Sequence, residues 1–561
     1  MFSVKSDKYR MLEIFARPVS KASRSLLTWK GNGKTDAEER EITSEYYEWV
    51  RIPLVQDEVY QLTADNLEIS LAYLSGNDDV MSSGIGFLDL IEGKDAAVVD
   101  STCMKAQYDT PYREQYHFQA FRNWINDPNG LCWFNGRYHM FYQHNPHSQE
   151  WNNMYWGHAV SLDLVHWVHL PFVLQPQKEI LQDCSKKGGA FSGSALVEGD
   201  KVKFYLTRHI GPRIPGSEQY EYQTMMESSD MIHFTEEKTV IETPPSGVNP
   251  GDFRDPKVWK SEGYYYMVLA SKIRDKAAIL LYGSEDSYKW NYIGPLLEEE
   301  TRGISTFECP DAFELDRKFV AMGAWMTHHD ECGRYQMTRY YIGEFNGSDM
   351  EVECSEFLDF GSNYYAGQSF LHQGKRILIG WISDFYKEHV AADNGSYGSM
   401  AIPRILSVKN NKLYMEPVPD VYTLQDQCLL MEKGKSVKVS EIPGNSYLAK
   451  VSLKENSNTD FTMLIAKDHN KTLCLMRKNG KVEIVSKGTA VESIRFPAQV
   501  QDVHYIEIFM DRRVVEVYLN HGESVGTKLF YSDGTQGVFE ADFVSPEEVE
   551  GLELYTMKSI W

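Results

Sequence analysis

GLCWFNGRYHMFYQ, residues 130–143, is an apolar and aromatic run, a two-residue Asn-Gly turn, and a second run of the same kind. Asn-Gly between such runs favours a tight β-hairpin, because both turn residues accept positive φ. Four further stretches follow the same plan: GSALVEGDKVKFYL (193–206), DPKVWKSEGYYYMVLA (255–270), DAFELDRKFVAMGAW (311–325) and QSFLHQGKRILIGW (368–381). Their turns centre on Gly136, Gly199, Gly263, Asp316 and Gly374, a recurrence every 53 to 64 residues. A second echo is interleaved with the first: SLDLVHW (161–167), SSDMIHF (228–234) and SEDSYKW (284–290). A fixed period of this size is the signature of a propeller built from four-stranded blades. The second motif is expected in the outer part of a blade, its aromatic locking the blade to a neighbour.

Working outward, the rest of the chain is also β-rich. Short Val, Ile, Tyr, Phe and Trp runs are bounded by Gly, Asn, Asp and Pro, and almost no stretch keeps a 3.6-residue apolar period. Beyond Pro417, KTLCLMRKNGKVEIVSKG (471–488) and HYIEIFMDRRVVEVYLNHG (504–522) alternate as sandwich strands do. Before Tyr112, strand-like runs such as YYEWVRIPLV (46–55) and LEISLAYLSG (67–76) carry no polar motif of catalytic kind. The fold class expected is all-β: an N-terminal β-rich accessory module over 1–112, a five-bladed β-propeller over 113–425 and a C-terminal β-sandwich over 426–561.

Composition narrows the partners. The 561 residues hold 57 basic and 80 acidic side chains, a net charge of −23, which repels polyanions and argues against nucleic acid or an anionic membrane surface. Rings are abundant, with 34 Tyr, 26 Phe and 12 Trp, so the chain has ample material for a packed interior. No run of 18 apolar residues occurs, and the first residues lack the apolar core of a signal peptide, so a cytoplasmic protein is expected. The eight cysteines are scattered with no CxxC pair, as free thiols rather than a disulfide framework or zinc site. His139, His144, His147 and His158 crowd one region without metal-ligand spacing, and strand positions account for them.

The chemistry is placed by the repeat. Immediately before each repeat lies a polar cluster: WINDPNG (124–130), FSGS (191–194), FRDPK (253–257), FECPD (307–311) and YYAGQ (364–368). Equivalent positions in five blades ring one mouth of a central channel. Three clusters bring an acid close to a proline: Asp127, Asp255 and Glu308. Carboxylates gathered in an aromatic-lined channel suit hydrolysis of a glycosidic bond, which needs one as nucleophile or base and one protonated as acid. Such a trio also suits a hard cation, but Arg254 beside Asp255 competes with one, and no metal is expected.

These strings, together with WNNMYWGHAVSLDLVHW (151–167) and IEIFMDRRVVEVYLNHG (506–522), resemble glycoside hydrolase family 32, the invertases, fructan hydrolases and related fructosyltransferases. The resemblance runs from Tyr116 to Trp561. It implies retaining chemistry without a cofactor, on a small-molecule or oligosaccharide substrate containing fructose. By the same resemblance Asp127 is the nucleophile, Glu308 the acid/base and Asp255 the transition-state stabiliser. Asn126, Gln143, Trp151, Phe191, Ser192 and Arg254 line the fructose pocket. The expected activity is release of β-linked fructosyl units from sucrose, fructo-oligosaccharides or fructan fragments. Transfer of that unit to another sugar, and hydrolysis of unusual fructose disaccharides or dianhydrides, stand as alternatives. Cys309 is expected to be a packed thiol shaping the surroundings of Glu308. Phe307 and Tyr397 replace tryptophans common in the family and are expected to alter the pocket walls. A homo-oligomer is left open.

Overall fold

The computed structural model describes all residues except 33, 91–92, 214–218, 302, 387–394, 490–494, 501 and 533–535. Five antiparallel sheets follow one another from Asn123 to Pro417 and form the blades. Blade I comprises Asn123–Phe134, Arg137–Asn145, Tyr155–Ser161 and Trp167–Leu174; blade II comprises Lys186–Glu198, Lys201–Pro212, Tyr220–Ser228 and Lys238–Ile241. Blade III comprises Val248–Ser261, Tyr264–Ile273, Lys276–Ser284 and Asn291–Glu299; blade IV comprises Phe307–Leu315, Lys318–Trp325, Thr338–Phe345 and Met350–Phe357. Blade V comprises Tyr364–His372, Lys375–Ile382, Arg404–Lys409 and Lys412–Pro417. The first strand of each blade packs against that of the next, and that of blade V against that of blade I, so the inner strands close a ring.

Turn chemistry sets the hairpins. Both turn residues have positive φ in Asn135-Gly136, Glu262-Gly263, Asp316-Arg317 and Gln373-Gly374, the twist-matched geometry for two-residue connections. The second echo is the turn from third to fourth strand in blades I to III. The Ser161 hydroxyl accepts the Leu164 N–H at 2.8 Å, and the Asp163 carboxylate accepts those of Val165 and His166; Ser228 with Asp230, and Ser284 with Asp286, repeat these bonds. The aromatics do reach neighbouring blades: Trp290 lies edge-on to Tyr205 of blade II, and Phe234 to Phe141 of blade I.

A short strand, Ser396–Tyr397, runs parallel to Asn123–Trp124 and ties late chain to the first blade. The C-terminal sandwich stacks two six-stranded sheets. Alternation along Ser446–Leu453 and Val514–Leu519 sends Tyr447, Val451 and Val515 into its interior and Leu448, Val514 and Tyr518 against the propeller. Residues 1–100 form a smaller pair of sheets of four and five strands. In Met11–Pro18, Ile14 faces that module's own core while Phe15 faces Tyr155 and Phe172 of blade I. All eight cysteines are free. Among the described residues no helix is long and apolar enough to cross a membrane.

Candidate active site

Each inner strand carries a bulge at the same level, two residues facing one on its partner: Asn126-Asp127 opposite Gln143, Phe191-Ser192 opposite Thr207, and Asp255-Pro256 opposite Leu269. Cys309-Pro310 faces Gly323, and Ala366-Gly367 faces Gly380, in the same way. A bulge bends its strand and re-aims side chains, and five at one level turn the polar clusters of the inner strands toward a single cavity. Asp255, Cys309 and Ala366 take up the bend with φ of 63°, 47° and 52°. The three acids sit at different registers: Asp127 is second in its bulge, Asp255 first, and Glu308 just before its own. Equivalence of the clusters therefore holds by blade but not residue by residue.

The cavity holds about 400 Å³ and is lined by all three acids and by Asn126, Gln143, Trp151, Phe191 and Arg254. Ser192 lies directly behind, fully buried. A directed chain of donors ends on Asp127. The Trp124 indole N–H donates to the Asn126 Oδ1 at 2.8 Å, the Asn126 amide to the Gln143 Oε1 at 2.8 Å, and the Gln143 amide to the Ser192 Oγ at 2.6 Å. The Ser192 hydroxyl then donates to the Asp127 Oδ2 at 2.5 Å. Each partner fixes the orientation of the next, leaving the Asp127 carboxylate in one pose.

Cys309 links the acids. Its thiol donates to the Asp127 Oδ2 at 3.3 Å and its backbone N–H to the Asp255 Oδ2 at 2.8 Å, while the residue before it is Glu308. The Tyr365 hydroxyl donates to the Glu308 Oε2 at 2.7 Å, and the Arg254 Nη2 lies 3.4 Å from the other oxygen. Arg254 is itself held by the buried Glu221 through its Nη1, at 3.0 Å; Glu221 also meets the His209 Nδ1 at 2.7 Å and accepts the Phe253 N–H at 2.6 Å. His209 stacks on Phe191 with ring centroids 4.2 Å apart, so one brace serves the cation and an aromatic wall.

Burial raises the pKa of every acid in the trio, because a charge is poorly solvated there. For Asp255 it does so to about 8, with the Arg254 charge pulling down and Asp127 and Glu308 pushing up. Burial likewise raises Glu308 against Arg254 and the Tyr365 hydroxyl, and raises Asp127 against the bonds from Ser192, Cys309 and Asn126. Burial drives the Cys309 thiol far up as well, so it stays a neutral donor rather than a nucleophile. The arrangement can present an ionised carboxylate and a protonated one to the same bond.

Two expectations need correction. Phe307 is fully buried between blades, against Gly323 and Tyr341, and is not on the cavity wall. Tyr397 stacks on Trp124 at 4.7 Å, behind the lining. The crowded histidines are structural: His139 bonds to His158, and His144 to the Trp124 carbonyl. The sequence reading missed Tyr365 and Glu221. Tyr365 stands inside the quoted YYAGQ cluster, a signal that was available; Glu221 lies on a third strand with nothing local to mark it.

Residues 117–417 match the model of the glycosyl hydrolases family 32 N-terminal domain, and residues 429–557 that of the family's C terminal. A sucrose-6-phosphate hydrolase of Escherichia coli is 32% identical over 437 residues, spanning 74% of this chain and 88% of that protein. A levanase of Bacillus subtilis (strain 168) is 28% identical over 503 residues, spanning 81% and 72%. The solved structure of a glycoside hydrolase family 32 protein from Bifidobacterium adolescentis superposes with a TM-score of 0.91 at 32% identity, over 100% of this chain and 99% of that one, the N-terminal module included. Matched by both domain models in order, and carrying its acids on the inner strands of the first of them, the chain belongs to glycoside hydrolase family 32 and is a glycosidase.

Proposed function

We propose that this glycosidase releases β-linked fructosyl units with retention of configuration, acting on sucrose and short fructose-containing oligosaccharides. The observation that carries the reading is the donor chain from Trp124 to Asp127, which orients one carboxylate for attack and favours its ionised form. Asp127 attacks the anomeric C2 as Glu308 protonates the departing oxygen; the C2–O bond to the leaving group breaks and an ester to Asp127 forms. Glu308, now ionised, takes a proton from water, which cleaves the ester and restores the resting site. Asp255 accepts hydrogen bonds from the fructose hydroxyls, and Arg254 lies where it balances the charge on Glu308. Relatives described as sucrose-6-phosphate hydrolases and a levanase support a fructosyl donor.

Incubation with sucrose, inulin-type and levan-type oligomers is expected to release fructose, seen first by NMR as the β-anomer. Release of none, or of the α-anomer first, would overturn the reading. Asp127→Asn should lower turnover by more than about a thousandfold without loss of fold, and Glu308→Gln by about 10² to 10⁴. Mass spectrometry of Glu308→Gln with an activated fructosyl donor should find one fructosyl unit on Asp127.

A further inference from the structure

The nine residues 146–154 join the second and third strands of blade I and carry Trp151, which is 38% exposed at the cavity rim. Trp151 has little packing of its own: the Phe191 ring lies edge-on at 6.0 Å, and the Lys187 ammonium lies 5.0 Å from its ring centre. The loop around it is tied to the propeller through Ser148, Glu150, Asn153 and Met154, and to the N-terminal module through His147. On one side, Met154 pairs with blade II, its N–H donating to the Gly188 carbonyl at 2.7 Å. On the other, His147 leaves the propeller and enters an aromatic socket of the N-terminal module. There it stacks on Tyr47 with centroids 3.9 Å apart and planes 12° apart, and its Nδ1 lies 2.6 Å from the Ser70 Oγ. The same stretch of the module secures the next rim segment: the Glu45 and Tyr46 N–H groups donate to the Leu181 carbonyl, and the Cys184 N–H donates to the Glu45 carboxylate at 3.0 Å. That segment leads into Lys187 and Phe191.

We propose that the N-terminal module is a positioning element for the sugar pocket, and that Tyr47 and Ser70, by gripping His147, set the placement of Trp151 against substrate. The proposal rests on the reading that Trp151 borders the bound sugar. The Asn145 amide holds the Ser148 hydroxyl and the Glu150 carbonyl, and the Gly188 N–H donates to Asn153, so the tip is the short span Trp151–Asn152; the His147 stack anchors the entry side on which that span rests. Pre-set walls bind substrate without the cost of ordering them first. The effect therefore belongs in KM rather than kcat, since neither Tyr47 nor Ser70 approaches the acids.

The test is a double-mutant cycle on sucrose in the full-length protein, with Tyr47→Ala, Trp151→Ala and the pair. The expected result for Tyr47→Ala is a KM about three- to tenfold higher, the worth of one aromatic stack, with kcat within about twofold. Tyr47→Phe keeps the ring and restores KM. In the Trp151→Ala background Tyr47→Ala changes KM by less than about twofold, because the residue it acts through is gone. An unchanged KM in Tyr47→Ala, or the same rise in both backgrounds, would overturn the proposal. Should Trp151→Ala alone leave KM untouched, the reading of the sugar pocket fails at that residue and the proposal with it. If circular dichroism finds Tyr47→Ala unfolded, Ser70→Ala passes through the same cycle under the same criteria.

Discussion

Tyr365 and Glu308 stand on adjacent blades, and one hydroxyl joins them. That bond favours the ionised carboxylate, since an O–H donor is worth more to a charge than to a neutral acid. Its removal in Tyr365→Phe raises the Glu308 pKa further. In the proposed reaction Glu308 gives up a proton, so the alkaline limb of the kcat/KM profile should move to higher pH. A profile that falls at the same pH as the parent's would show that the hydroxyl does not tune Glu308. Side chains of this kind divide cleanly by how far the sequence betrays them. Asp127, Asp255 and Glu308 stand in short strings with proline and aromatic neighbours, and they are visible as soon as the repeat is. Glu221 of blade II reaches Arg254 of blade III across the interface between blades, and the strand register of blade II, which sets it beside His209, brings it there.

Among elements, the bulge is the device that makes an inner strand into a site. The hairpins and their period are legible because tight turns demand particular residues, whereas a bulge in these strands carries no such mark: the first bulge residue is Asn, Phe, Asp, Cys or Ala. What selects it is tertiary, the need of five strands to bend at one level around a ring. Ala366 tests this. At φ 52° its backbone is left-handed, which small side chains tolerate and β-branched ones resist. Ala366→Val should cost about 1–2 kcal/mol of stability, read as a lower Tm, and should weaken catalysis by shifting the adjoining Tyr365. An unaltered Tm would show that the bulge has room to relax. Phe307 teaches the converse, since its place beside Glu308 in the chain suggests a wall while strand alternation buries it between blades.

For the molecule as a whole, the junction of propeller and sandwich is polar and buried. Asp511 of the sandwich accepts the N–H groups of Gln115, Tyr116 and His117. The His117 ring is held between Asp511, at 2.8 Å, and Glu516, at 3.1 Å, while Glu516 also meets Arg404, itself paired with Asp359. Burial works to lower the His117 pKa, but the bonds to Asp511 and Glu516 outweigh it and carry the value to about 9. Burial would raise Glu516, yet Arg404 and His117 hold it at about 2. The stabilisation from His117 is complete below its unfolded value of about 6.5 and fades as pH rises through 9, on the order of 3 kcal/mol by linkage. That from Glu516 runs the other way, complete above the ordinary carboxylate range and lost as pH falls toward 2. His117→Gln should therefore melt well below the parent at pH 6 and approach it by pH 9.5. A gap that stays constant across that range would place the imidazolium elsewhere in the balance.

The strand Ser396–Tyr397 pairs in parallel with Asn123–Trp124, and Trp124 begins the donor chain that ends at Asp127. Synthesis proceeds from the N-terminus, so Asp127 leaves the ribosome long before the residues that pin the start of its support. A chain halted between residues 127 and 396 holds Asp127 without that strand beside Trp124. The support of Asp127 is thus completed only when segments from opposite ends of the propeller pair.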